Sequence, residues 1–220
     1  MTDRLTLAVV TAGLSEDSTT TRLGEAIAKA ASGAVENAEQ HVSIKVIQLR
    51  DLAHGLTDMM ITHVASPAVQ DAIDTVLNAD GLVAASPTYK ASYSGLFKQF
   101  FDVIDESALE NLPTVIAATG GSPRHSLVLD TAMRPLLSYL KALVLPLGIY
   151  AASEDWGHND LQRRIDRVGA SLGTMLLAGS PSGASGSLDD DAARPGLRRE
   201  VKDEFSNVPD FASLLASVGS

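Results

Sequence analysis

Ala84-Ala85-Ser86-Pro87-Thr88-Tyr89-Lys90-Ala91-Ser92-Tyr93-Ser94-Gly95-Leu96-Phe97-Lys98-Gln99-Phe100-Phe101-Asp102 is the stretch whose reading decides the fold. It opens as the end of a short apolar run, Gly81 to Ala85, and breaks at Pro87. Proline removes a backbone donor and pushes the preceding residue into an extended conformation, so the spacing predicts a strand that stops here. A small polar loop with one tyrosine and one lysine follows. From Ser94 to Ile104 the pattern becomes that of an amphipathic helix. A strand feeding a polar loop and then a helix is how open α/β sheets build ligand sites, although every α/β protein has several such loops.

Working outward, the same alternation recurs. Leu5 to Thr11 is a continuous apolar run, as expected of a strand buried on both faces. A helix is predicted from Thr20 to Ala31, closed by Gly33. Val42 to Ile47 alternates and reads as a second strand. Leu49 to Met60 lacks a clean period and reads as loop. Pro67 opens a helix through Leu77, Leu82 to Ala85 forms the third strand, and Thr114 to Ala118 the fourth. A helix over Ser126 to Leu143 should break or kink at Pro135. Leu147 to Ala151 is a short fifth strand, and Leu161 to Leu177 the last clear helix. The order βαβαβαβαβα defines an α/β protein: a five-stranded parallel sheet with helices on both faces, strand order 2-1-3-4-5. The ligand crevice then falls between the loop after Thr11 and the loop after Ser86. Residues 1–178 form this domain. Residues 179–191, rich in Gly and Ser, read as a flexible linker, and residues 192–220 as an appended tail that either docks or helps assembly.

Composition narrows the chemistry. The 220 residues carry a formal net charge of -10, which argues against non-specific binding to nucleic acid or an anionic membrane. There is no cysteine, so thiol nucleophiles, disulfides and Cys-ligated metals are excluded. No apolar run approaches a membrane span, and the chain reads as a cytoplasmic protein. The histidines (His41, His54, His63, His125, His158) include no i,i+4 pair and no HExxH, so no metal site is expected. No GxSxG elbow is present.

Three loops converge at the carboxyl edge of the expected sheet. The first, beginning at Gly13, carries the hydroxyls Ser15, Ser18, Thr19, Thr20 and Thr21 at a helix N-terminus. Free N–H groups and the positive helix end suit a phosphate, and one hydroxyl would suffice for a cap alone. Neither a Walker A motif nor a glycine pair two apart is present. Glu16 and Asp17 must point outward if this loop takes a phosphate. In the second loop, Pro87 to Lys90, Tyr89 could pack on a flat ring and Lys90 could donate to a carbonyl. A half-buried loop aromatic and a solvated charge are the alternatives. The third loop, Thr119-Gly120-Gly121-Ser122, allows close approach of backbone amides to a ligand, or is a simple turn. Together the loops ask for a phosphate joined to a planar ring. Tyr150 and Trp156, near the last strand end, read as packing residues.

These motifs resemble the NADPH-dependent FMN reductase family of flavodoxin-like proteins, over roughly residues 4 to 178. Ala12-Gly13-Leu14-Ser15 with Ser18-Thr19-Thr20-Thr21-Arg22 is similar to the family's phosphate loop. Ser86 to Lys98 with Asp102 is similar to its flavin-ring loop and following helix, and Thr119-Gly120-Gly121-Ser122 to its third loop. The resemblance implies a flavodoxin-like three-layer fold and hydride transfer from NAD(P)H to FMN, with the flavin carrying the chemistry and no side chain required as acid or base. It implies that Ser15, Ser18, Thr20 and Thr21 hold the phosphate, that Pro87, Thr88, Tyr89 and Lys90 line the ring, and that Thr119 to Ser122 touch its polar edge. Gly121 and His125 stand where the nicotinamide would enter. A flavin-dependent monooxygenase is the implied partner. A homodimer or homotetramer built on the helix holding Leu96, Phe97, Phe100, Phe101 and Ile104 is the implied assembly. An FMN-bound quinone or azo reductase and a flavodoxin-like electron carrier are the alternatives.

Overall fold

The computed structural model describes residues 5–179. The linker and tail expected over 179–220 lie outside the described residues, except that Gly179 is the last residue of the final helix.

The chain begins with β1 (Leu5–Thr11), whose alternate side chains face opposite sides of the sheet. Leu5, Leu7 and Val9 join one apolar cluster, while Ala8, Val10 and Ala12 join another. This alternation makes the three-layer architecture expected from the sequence. Helix α1 (Thr19–Glu36) covers the first side, capped by Ser18, whose hydroxyl accepts from the Thr21 N–H. Gly33 does not close it: Ser32 and Val35 are buried beyond the predicted end, and the helix runs on to its cap at Asn37.

β2 (Val42–Gln48) leads directly into α2 (Leu49–Thr62), where a loop was expected. Leu49, Leu52, Leu56 and Met59 do form a helical stripe against the core. Exposed Met60 and Ile61 lie off it and blur the period, and Gln48 provides no side-chain cap. α3 (Pro67–Leu77) starts as predicted, with Pro67 just inside the Ser66 cap.

β3 (Gly81–Tyr89) does not end at Pro87. The Ala85 carbonyl accepts from Ala12 on the β1 side, and β1 pairing stops at that residue. By the two-residue period Pro87 faces the same edge, now vacated, so its missing N–H breaks no ladder bond. β4 (Ser92–Tyr93) folds back on β3, and α4 (Gly95–Asp102) follows from its cap at Ser94. Phe97, Phe100, Phe101 and Ile104 are all buried within this chain. The apolar surplus read as an assembly surface is therefore spent on the core, with Phe97 and Phe101 centroids 4.7 Å apart and roughly 2 kcal/mol gained per buried aromatic.

β5 (Pro113–Gly120) pairs with β3. A short 3-10 turn at Pro123–His125 precedes the helix expected over Ser126 to Leu143, which is instead a π turn at Leu129–Met133 running into α5 (Arg134–Tyr139). The expected break at Pro135 is real. The wide turn closes with Arg134 N–H donating to the Leu129 carbonyl, immediately before the proline that would clash with a regular preceding turn. β6 (Leu143–Val144) and β7 (Ile149–Ala152) share the outer edge of β5. Arg134 donates to the Leu145 and Pro146 carbonyls in the gap between them. α6 (Asn159–Gly179) packs against α1 closely enough that a Cβ on Gly169 would lie 2.4 Å from the Ala30 Cβ.

The sheet order is β2-β1-β3-β5, with β6 and β7 both on β5. Following the long strands, this is the expected 2-1-3-4-5 order. The two-residue strands β4 and β6 bring the total to seven, against five read from sequence. Both are too short to leave a period.

Candidate functional site

The carboxyl ends of β1, β3, β5 and β7 lie side by side, and specific bonds tie their loops together. Thr20 in the first turn of α1 shares a buried 2.7 Å hydroxyl–hydroxyl hydrogen bond with Thr119 at the end of β5. Thr119 is paired with Pro87 across the sheet. The first, second and third loops named from sequence therefore do meet at one edge.

Within the first loop the hydroxyls divide by role. Ser18 caps α1, a bond worth about 1 kcal/mol in typical cases. Thr21 is turned inward to Thr11, 3.0 Å away, and Thr20 to Thr119. Each of these two buried pairs donates one proton within the pair and keeps a second to offer. Ser15 and Thr19 are exposed and unspent. Gly13 is buried against the cap, where a Cβ would fall 1.8 Å from the Ser18 Oγ. The acids behave as a phosphate loop requires. Asp17 is exposed, and Glu16 is 89% exposed and reaches Arg50 at 3.7 Å.

The second loop is a two-residue hairpin. Thr88 pairs with Tyr93 and Tyr89 with Ser92, so Lys90 and Ala91 alone turn the corner. Both have positive φ, 50° and 66°. That is the signature of a type I′ turn, usually made by Asn-Gly. A side chain in this conformation costs about 1 kcal/mol, and strain of this kind marks places where the chain is shaped for a task. Ser86 clamps the base of the hairpin: its buried hydroxyl donates to the Pro87 carbonyl and accepts from the Ser94 N–H. Tyr89 is about half exposed and Lys90 exposed, while the Thr88 Oγ1 is buried without a hydrogen-bond partner.

In the third loop Gly121 is exposed and Gly120 and Ser122 are partly exposed. The Tyr150 hydroxyl donates to the Ser122 carbonyl at 2.8 Å. Burial is the main cause of a raised Tyr150 pKa, so the phenol stays protonated as a donor. His125 lies exposed in the turn that follows, with Arg124 bonded back to Ser122. The loop after β7 adds a fourth contributor, in which Trp156 carries the Arg22 guanidinium 5.3 Å over its ring.

The spacing of the sequence does not signal the Thr11–Thr21 pair, the Glu16–Arg50 ion pair, or the contacts of Tyr150 with Ser122 and of Trp156 with Arg22, each of which joins separate elements of the fold. Among the described residues no cluster of three or more His, Asp or Glu side chains could hold a metal. No described helix is long and apolar enough to cross a membrane.

A parallel sheet flanked by helices, with a hydroxyl-rich helix N-terminus beside a strained hairpin at its switch point, defines a flavodoxin-like protein. Residues 5–157 match the family described as NADPH-dependent FMN reductase, and the chain belongs to that family. It is 40% identical over 143 residues to the FMN reductase (NADPH) of Pseudomonas aeruginosa, covering 63% of this chain and 76% of that one. It is 34% identical over 172 residues to the NADH-dependent FMN reductase SfnF of Pseudomonas putida, covering 76% and 90%. Among solved structures, an oxidoreductase from Corynebacterium diphtheriae superposes with a TM-score of 0.77 at 43% identity, covering 80% of this chain and 98% of that one.

Proposed function

We propose that the chain transfers hydride from NAD(P)H to FMN, with the flavin held across the three joined loops. The observation that carries the reading is the chain of contacts Thr20–Thr119–Pro87, which brings a helix N-terminus and a ring-sized hairpin to one sheet edge.

The residues fit the group. A phosphate suits the first turn of α1, where the Ser15 and Thr19 hydroxyls are free and the unspent protons of the Thr20 and Thr21 pairs remain available. Ser18 fixes that turn by capping it, and Gly13 leaves room for the cap where a side chain would collide with it. The buried Thr88 hydroxyl, near the Tyr150 phenol but without a hydrogen bond of full geometry, stands beside the expected ring. Pro87, Thr88, Tyr89 and Lys90 would line the ring, and the Gly120, Gly121 and Ser122 amides would face its polar edge. FMN, when bound, supplies the two-electron chemistry. The chain's part is to orient the two nucleotides face to face and to exclude water between them.

The reading extends to a flavin-dependent monooxygenase as consumer of reduced FMN, to a homodimer or homotetramer, and to the cytoplasm. Light scattering on the purified protein tests the assembly. Oxidation of NADPH and NADH, followed with and without added FMN, tests the activity. Turnover that depends on added FMN is expected, and turnover with a quinone by tightly held flavin would favour the alternative reductase.

A further inference from the structure

We infer that Tyr150 is a positioning residue for the flavin site, holding the Gly120-Gly121 span in its binding shape through the Ser122 carbonyl. The inference rests on the reading of the third loop as part of the FMN site.

Tyr150 lies in β7, in register with Ala118 of β5, and is only 5% exposed. Its side chain reaches past the end of β5 toward the loop. A Cβ on Gly120 would lie 2.1 Å from the Tyr150 hydroxyl oxygen and 3.1 Å from its Cζ, and the Thr88 Cβ is 3.6 Å from the same point. The phenol therefore occupies the space a side chain at residue 120 would need, at the place where the second and third loops meet. Its own backbone is anchored, since Arg164 of α6 donates to the Tyr150 carbonyl.

The consequence concerns the two glycines. A Gly-Gly span has more backbone freedom than any other pair, and a ligand must overcome that freedom to bind its amides. Here the span is pinned on both sides. Thr119 before it is bonded to Thr20, and Ser122 after it accepts from Tyr150. Ring packing alone would be served by phenylalanine. The hydroxyl is what reaches the loop, and Gly120 is what lets it through.

The test compares Tyr150→Phe with Tyr89→Ala by FMN-dependent NAD(P)H oxidation, FMN binding from quenching of flavin fluorescence, and thermal unfolding. Losing one hydrogen bond to the loop should raise the KM and Kd for FMN roughly three- to tenfold in Tyr150→Phe, with a larger change in KM than in kcat. The companion Gly120→Ala should weaken FMN binding more strongly. The double variant should fall short of the product of the two single effects, because the side chain at residue 120 no longer meets a hydroxyl. Unchanged FMN binding in Tyr150→Phe while Tyr89→Ala weakens it would overturn the positioning role and leave the site intact. A lowered unfolding temperature in Tyr150→Phe with an unchanged KM would overturn it as well. If neither variant affects FMN, the loops are not the flavin site, and the inference falls with that reading.

Discussion

Thr20 and Thr119, 99 residues apart in the chain, share a buried 2.7 Å hydrogen bond that joins the first turn of α1 to the carboxyl end of β5. It is a direct side-chain link between the first loop and the third. Thr20→Val keeps the shape and removes the partner. A buried hydroxyl left unpaired costs about 1–3 kcal/mol. Urea unfolding should show a loss of that order, and the KM for FMN should rise. An unchanged unfolding free energy would mean that the bond contributes nothing.

Gly13 is a packing position as well as a loop residue. In Gly13→Ala the new methyl would meet the Ser18 Oγ at 1.8 Å, so the cap must move. We expect loss of the cap, roughly 1 kcal/mol of stability, together with FMN affinity at least tenfold weaker. Fluorescence quenching by the protein at rising concentration measures the second effect.

The hairpin gives an opposed pair of effects. Ala91 has φ 66°, a conformation glycine adopts without penalty. Ala91→Gly should raise the unfolding free energy by about 0.5–1 kcal/mol, read from denaturant unfolding. Tyr89→Ala removes a half-exposed ring with little structural role, so its effect should fall on FMN binding and not on stability.

The alkaline limb of stability should report Tyr150. Burial raises its pKa above the ordinary tyrosine range, the Thr88 hydroxyl partly opposes that shift, and the charge of Asp155 adds to it. An acid with a raised folded pKa keeps its full contribution below the unfolded pKa and loses it as pH climbs through the folded one. The wild-type unfolding temperature should therefore fall more steeply above about pH 10 than that of Tyr150→Phe. Parallel curves would contradict the burial account.

Much of the fold was legible because the buried parallel strands are written as continuous apolar runs. β1 and β5 have no polar face to confuse the reading. α2 was missed although Leu49, Leu52, Leu56 and Met59 carry a helical spacing, because Met60 and Ile61 are apolar on the exposed side. The extension of β3 through Pro87 could not be read locally, since a proline is tolerated there only because β1 has ended. The loops that meet at the sheet edge were legible, and the division of their hydroxyls was not. Nothing in the spacing of Ser18, Thr19, Thr20 and Thr21 tells that three of them are engaged inside the protein and one is free. Tyr150 carries no motif either, and only its contact with Ser122 gives it a role.

The central claim is that these loops take up FMN and that the chain reduces it with NAD(P)H. The most direct measurement is the rate of NADPH and NADH oxidation by the purified protein as free FMN is added. The account predicts oxidation that rises with FMN to saturation, with the half-saturating concentration shifted upward in Gly13→Ala and Tyr89→Ala. No FMN-dependent oxidation with either nucleotide would contradict it.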